Sequence, residues 1–411
     1  MRKILVGGYT DSVYVSNLYE AIINETRSDN LFYCFKLSKT KRPKESWENE
    51  RFLFEKFVPF PFVLYVKSLL RIPILTILRL LIVKIAMGSK NPVTHLRFIK
   101  EQVHYYLWAY YFEKVLKIDV FHCHTIIPDY LWISYYFTSN VKIIYSIWGS
   151  DLLRIANPYA YKMSFAALQG ADSIVVANVN LREFLLVKFG HNLQAKVSLN
   201  YFILSERIFN RIDFYSGKQK EISNLKKRFK ISLDKRVIII GHSGDCADQH
   251  MEILRHFENK AISKQLVFIL PLSYGLTEEY EKQLIDYQST SSLDIILQTD
   301  FLSFDDLAAL KLAADYVVMT PISDGNSAFL IESIYAGSQC IVGSWLPYGR
   351  MIEVGLPLIE ISALELIPER VLQVNTSATD RDITAIRKII RIEYLSRNII
   401  NKWNTILNNQ L

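Results

Sequence analysis

The stretch TPISDGNSAFLIESIYAGS (320–338) reads as a strand end, a turn and a helix. YVVMTPI (316–322) is strand-like, Ser323 or Asp324 supplies a helix N-cap, SAFLIESIYA (327–336) is helical, and Gly337 supplies the stop. The backbone N–H groups of Gly325, Asn326, Ser327 and Ala328 then sit at a helix N-terminus, where an anion such as a phosphate is stabilised. Glu332 follows Asp324 by eight residues. About two turns into the helix, its carboxylate can accept hydrogen bonds from a diol such as a ribose. The plainer reading is a capping aspartate followed by a glutamate on a solvated face.

The same strand-then-helix alternation runs through the chain. Strands are expected at KILVGGY (3–9), 118–125, 141–149, 171–178 and 195–202, and after a polar stretch (206–235) again at 236–244, 264–275, 293–301, 314–324 and 338–345. Apolar runs separated by helical patterns indicate βαβ units and parallel sheets. The fold class expected is α/β: two Rossmann-like, doubly wound domains facing a cleft. The first domain spans 1–208 and the second 209–385. A long amphipathic helix follows over 386–411, able to cross back to the first domain. Ligands of such sheets bind beyond the C-terminal strand ends.

Composition narrows the class. Half of the 411 residues are apolar, and 22% are charged, as in ordinary globular chains. Four scattered cysteines without a C-x-x-C pair fit buried thiols in a reducing compartment. The short apolar start reads as a strand rather than a signal peptide. The absence of an apolar run of 18 residues speaks against a membrane span. Residues 1–210 hold 26 Lys+Arg against 16 Asp+Glu (+10), and residues 211–411 hold 22 against 25 (−3). Lys56 to Lys100 contains eight Lys/Arg and no acid. The aromatic, basic segment 57–90 therefore suits an anionic membrane interface, with a core helix pair whose basic ends reach solvent as the alternative. It is too apolar for a nucleic-acid track.

Other strand ends carry polar residues. The loop Gly241, His242, Ser243, Gly244 and Asp245, continuing to His250, is a second candidate phosphate cradle made of backbone amides. It lacks the Lys of a P-loop, and an ordinary capped turn is the alternative. His122 and His124 share one face of a strand, as alternation requires. Without a third and fourth ligand at sensible spacing, His124 is read as a ligand contact and no metal site is expected. Gly7 and Gly8 permit close approach of a ligand to the first strand's end. Asp151 follows Trp148-Gly149-Ser150 at another strand end. The lone D-x-D, Asp380 to Asp382, precedes a helix and reads as a cap.

Together these residues resemble a GT-B glycosyltransferase, nearest the retaining family 4. The family's E-x7-E motif is matched by Asp324-x7-Glu332, with a shortened first acid. Its N-domain histidine is matched by His124. ADSIVVANVNLREFL (171–185), WGSD (148–151) and FLSFDDLAALKLAADYVVMTPISDG (301–325) resemble further family segments. The Lys and Arg that grip the diphosphate in that family are missing from 241–250. This loop and PLSYG (271–275) look closer to the fucosaminyltransferase of enterobacterial common antigen synthesis.

The resemblance implies that Asp324 serves the donor sugar, the amides of 325–328 the diphosphate, and Glu332 the ribose. Tyr274 and Phe301 join the donor-binding set of Gly7, Gly8 and 241–245. His124 and Asp151 are the candidate bases should the reaction invert, and otherwise the leaving phosphate takes the acceptor proton. The implied activity is metal-independent and cofactor-free. It moves a sugar from a nucleotide diphosphate sugar to a lipid-linked or surface-polysaccharide acceptor. The membrane-facing part is 57–100, placing the enzyme in the cytoplasm, peripheral on the inner face of the plasma membrane. A nucleotide-sugar epimerase of the same architecture and a non-catalytic partner of polysaccharide assembly are the rival readings.

Overall fold

The computed structural model describes residues 2–8, 13–26, 30–34, 52–54, 78, 81–82, 85, 92–373 except 139, 156, 230 and 233, and 383–408 except 396. Most of the expected membrane-facing segment 57–90, and the Asp380-to-Asp382 motif, lie outside them. Among the described residues no helix is long and apolar enough to cross a membrane.

The chain divides into two compact units: Met1–Ile203 with Arg397–Leu411, and Leu204–Ser396. The first holds a parallel seven-stranded sheet: β1 (Lys3–Gly7), β2 (Leu31–Cys34), β3 (Phe52–Phe54), β4 (Val120–Cys123), β5 (Lys142–Ile147), β6 (Ser173–Val176) and β7 (Val197–Leu199). The strand order is β3-β2-β1-β4-β5-β6-β7. Ile4, Leu5 and Val6 are fully buried, as are Val120 and Phe121, so these strands pack on both faces. The order reverses at β1 and β4, which pair with Val6 beside His122 and Gly7 beside Cys123.

The second unit repeats the plan with β8 (Arg236–Ile240), β9 (Leu266–Pro271), β10 (Ile295–Gln298), β11 (Tyr316–Met319), β12 (Gln339–Gly343) and β13 (Leu358–Ile361). Their order is β10-β9-β8-β11-β12-β13, all parallel, with the reversal between β8 and β11. Ile238, Ile240, Val318 and Ile341 anchor its core with Ile253, Leu254 and Phe257 of the helix His250–Phe257.

The sequence reading missed β2, β3 and β13, which are only four, three and four residues long. The single long C-terminal helix it expected is two helices, Ile383–Tyr394 and Arg397–Asn408. The first buries Ile386, Ile390 and Tyr394, and the second buries Ile399, Ile400, Trp403 and Leu407. The apolar stripe slips between Tyr394 and Ile399, and one straight helix cannot keep both stripes on one face.

The last helix belongs to the first unit. Its apolar face joins Ile4, Val6, Leu18 and Ile22. Trp403 Nε1 donates to the Tyr201 carbonyl (2.7 Å), and Asn200 Nδ2 to that of Ile399 (3.2 Å). Lys142 Nζ and Arg2 Nη1 donate to the carbonyls of Ile406 (2.7 Å) and Leu407 (3.1 Å), placing cations at the helix's negative end. Trp403 is fully buried, so Trp403→Ala should cost about 3–5 kcal/mol. Urea unfolding followed by probes in the first unit measures it, and a loss under about 1 kcal/mol would show the helix to be a dispensable cover.

Candidate functional site

In the first unit the end of β4 is closed. His122 and His124 lie on one face, as alternation requires, with ring centroids 4.2 Å apart. The Tyr19 hydroxyl bridges them, 2.7 Å from His122 Nδ1 and 2.8 Å from His124 Nε2, and His122 Nε2 meets Ser146 Oγ at 2.7 Å. Both rings are fully buried. Burial pushes His122 down to about 3 and His124 well below the usual histidine range, so both are neutral. His124 packs against His122, Trp148 and Phe202, and no solvent reaches it. The expectation of a ligand-facing His124 is corrected accordingly: its ring belongs to a buried polar network.

Gly7 and Gly8 have a packing explanation too. The Gly7 carbonyl accepts from His124 N at 2.8 Å. Gly8 has φ +68, and a Cβ there would stand 2.6 Å from Thr125 Cγ2. The glycines let β1 close on β4.

Asp151 is held rather than presented. Its Oδ1 accepts from the amides of Trp148 and Gly149, both at 3.0 Å, and its Oδ2 from that of Ile126 at 3.2 Å. Burial lifts its pKa to about 6 against these hydrogen bonds, which pull it down. Such a carboxylate shapes the turn around Gly149, whose φ is 121.

In the second unit the loops after β8 and β11 lie side by side at the reversal of strand order. Gly241 N donates to Val318 O (2.9 Å), Ile322 N to Ala247 O (2.9 Å), and Gln249 Nε2 to Thr320 O (2.5 Å). The β8 loop is organised by Asp248, which the sequence reading passed over. Its Oδ2 accepts from His242 N (3.2 Å), Ser243 N (3.0 Å) and Ser243 Oγ (2.8 Å), and stands 3.4 Å from His242 Nδ1. The amides of 242 and 243 are therefore occupied internally, which corrects the expectation of an open cradle there. Asp245 caps the short turn Cys246–Asp248 through Ala247 N (3.0 Å). Gly241 and Gly244 serve close packing: a Cβ would meet His250 Nε2 at 2.7 Å and Leu276 Cβ at 2.5 Å respectively.

The loop holds two imidazoles of opposite character. Burial lowers His250 to about 4 and keeps it neutral. Burial also acts to lower His242, but the hydrogen bond and charge of Asp248, then the charge of Asp324, outweigh it and raise its pKa. His242 thus keeps its proton above the usual histidine range. Tyr274, half exposed, stands edge-on to His242 at 6.2 Å. Its hydroxyl is pushed up by desolvation and then by the charges of Asp248, Asp324 and Glu332, which shows how these acids converge.

The helix after β11 starts later than the sequence suggested. It spans Ala328–Ala336, and Ser327 is the N-cap, accepting from Leu330 N at 3.2 Å. The unsatisfied amides therefore begin near Ala328 rather than Gly325. Gly337 ends the helix with φ 101, as expected. Asp324 is not a cap: its Oδ2 accepts from the Tyr348 hydroxyl at 2.5 Å. Glu332 is 8% exposed, and its Oε2 pairs with Lys311 Nζ at 3.2 Å. It does not sit on a solvated face. Phe301, 78% exposed, projects from the loop after β10. Among the described residues no group of three or more His, Cys, Asp and Glu is arranged to hold a metal ion.

Residues 111–178 match the family model described as Glycosyl transferase 4-like. No curated protein sequence matches the chain. The similarity to solved structures is more extensive. Anabaena Alr3699/HepE, in complex with UDP-glucose, is 14% identical with TM-score 0.66, covering 99% of each chain. A glycosyltransferase from Rickettsia africae is 12% identical with TM-score 0.67, over 100% of this chain and 99% of that one. The α,α-trehalose 6-phosphate synthase of Burkholderia multivorans is 10% identical with TM-score 0.68, over 99% and 96%. The fold is GT-B. The sequence reading named Asp324, Glu332, His242 and Tyr274 as candidates, but not Asp248, Tyr348 or Lys311, which contact the first two and His242.

Asp151 gives a measurable sign. Its folded pKa, about 6, lies above its unfolded value near 3.8. Its contribution to stability is therefore full in acid and is lost as pH rises through about 6. The stability deficit of Asp151→Ala relative to wild type should be largest near pH 4 and narrow toward pH 7 in thermal melts. A deficit that widens toward pH 7 would mean that the carboxylate acts mainly as an ionised cap.

Proposed function

We propose that the chain is a glycosyltransferase that binds a nucleoside diphosphate sugar on its second unit. The observation that carries this is the convergence of Asp324, Glu332, His242 and a helix N-terminus at the ends of β8 and β11, the point of strand-order reversal where such sheets take their ligands. Similar solved structures hold UDP, or UDP-glucose, and we take UDP as the donor's nucleotide. In this reading the amides at the start of Ala328–Ala336 meet the diphosphate, Glu332 meets the ribose and Asp324 the sugar. His242 supplies the positive charge that the loop 241–250, without Lys or Arg, otherwise lacks.

The proposed reaction breaks the bond between the anomeric carbon and the diphosphate oxygen and forms one to the acceptor oxygen. The acceptor's proton passes to the departing phosphate, so configuration is retained and no protein base is required. Catalysis then rests on positioning and on stabilising the leaving diphosphate. The proposed acceptor is a lipid-linked or surface-polysaccharide glycan, met at the cytoplasmic face of a membrane through the basic segment 57–100. No cofactor or metal takes part.

The test is release of UDP from UDP-sugars, with and without lipid-linked acceptor. Acceptor-dependent release that persists in chelator is expected. Release restored only by Mg²⁺ or Mn²⁺ would overturn the metal-free mechanism, and the absence of UDP binding would overturn the reading itself. His242 gives a second check. Its charge is present below its raised pKa and lost as pH rises through it, so UDP affinity should fall as pH rises through that pKa. His242→Gln should weaken UDP roughly tenfold at pH 6 and flatten that slope. An unchanged slope would leave the helix amides as the whole diphosphate grip.

A further inference from the structure

Lys311 lies in the last turn of FDDLAALKLA, the helix Phe304–Ala313, and is fully buried. A buried ammonium is costly unless its three donors find acceptors. Here every partner is on one neighbouring helix: the Phe329 carbonyl at 3.2 Å, Ser333 Oγ at 3.3 Å and Glu332 Oε2 at 3.2 Å. The Phe329 ring adds a cation–π contact 3.2 Å from Nζ. The arrangement uses one oxygen of Glu332. The other makes no hydrogen bond or ion pair among the described residues, and the residue keeps its 8% of exposure.

We infer that Lys311 is a positioning residue, which pins one carboxylate oxygen of Glu332 and so aims the other at the vicinal hydroxyls of a nucleotide's ribose. The inference rests on the nucleotide-binding reading of this unit. It adds the part which makes Glu332 a one-oxygen, directional acceptor rather than a freely turning or protonated side chain. Without Lys311 the burial that already raises the Glu332 pKa would act unopposed, since Lys311 alone counters it. A protonated carboxyl is a poorer acceptor for a diol than a carboxylate.

The lysine's own titration supplies a second handle. Burial lowers it to about 8, while the charges of Glu332 and, more weakly, Cys340 hold it up. Among the described residues three titratable groups interact with it electrostatically: Glu332 on the next helix, Cys340 in β12, and His242 in the β8 loop, whose pKa Lys311 acts to lower.

The experiment compares the binding of UDP with that of 2′,3′-dideoxyuridine 5′-diphosphate by calorimetry. The ratio of the two affinities isolates the diol, because base and diphosphate, and therefore His242, contribute to both. Wild type at pH 7 should prefer UDP about 10-fold to 100-fold, the size of a charged hydrogen bond. The preference should shrink as pH rises through about 8 toward 9.5, as Lys311 loses its proton. Lys311→Met should lower it to within about threefold at pH 7. Cys340→Ala should keep the wild-type profile and so exclude the thiol. Should Lys311→Met fail to fold, the wild-type and Cys340→Ala profiles decide. A diol preference that is flat with pH, or one that survives in folded Lys311→Met, overturns the role of Lys311 while leaving the nucleotide site standing. No diol preference in wild type at pH 7 overturns the ribose reading of Glu332 instead.

Discussion

A parallel strand packed on both faces commits its side chains to the core, and its polar chemistry is displaced to its end. In both sheets here the strand order reverses once between two central strands, β1 and β4 in one unit, β8 and β11 in the other. Sheets of this kind take their ligands beyond the strand ends at such a reversal. His124, His242 and Asp324 each follow a strand of one of these two pairs. The two ends have been put to different use. That of the first unit is filled with a tyrosine, two neutral histidines and a serine bonded to one another. That of the second keeps charged groups partly open.

The second unit manages its buried charges by giving each a specific partner. Asp248 is nearly inaccessible, and ordinary desolvation would raise its pKa, yet the hydrogen bond and charge of His242 hold it down at about 2. Lys311 and Glu332 show the same logic on adjoining helices. Buried pairs of this kind add little net stability compared with apolar packing, but breaking one strands a charge. Their value lies in direction: each fixes the orientation of a group that reaches the strand ends.

Much of this was legible in the sequence and some was not, for reasons that differ by residue. Long apolar strands such as β8 and β9 announce themselves by composition, whereas β2, β3 and β13 are too short for any periodicity to show. Asp324 and Glu332 stand out as candidates because a strand, a glycine turn and a helix flank them. Their partners Tyr348 and Lys311 come from other strand–helix units, and only tertiary pairing brings them near. Lys311 did leave one trace, a lone cation on an otherwise apolar helix stretch. His124 illustrates the converse error, since a polar residue at a strand end signals a site only when something keeps it from being covered. The glycines at 8, 241 and 244 mark close backbone approaches, and the sequence alone does not say whether the approaching group is a ligand or the protein itself.

The tie between Trp403 and Tyr201 joins residues 202 positions apart, and the whole second unit lies between them in the chain. The second unit is thus an insertion within the first. During synthesis at about 5–20 residues per second, the first sheet waits roughly 10–40 s for the helix that closes one of its faces. Until that helix is made the patch formed by Ile4, Val6, Leu18 and Ile22 lacks its cover, whereas the second unit's sheet has all its strands once residue 361 is made. The order of maturation therefore runs against the order of the sequence: the later unit can finish first, and the earlier one is completed by the helix Arg397–Asn408, made after it.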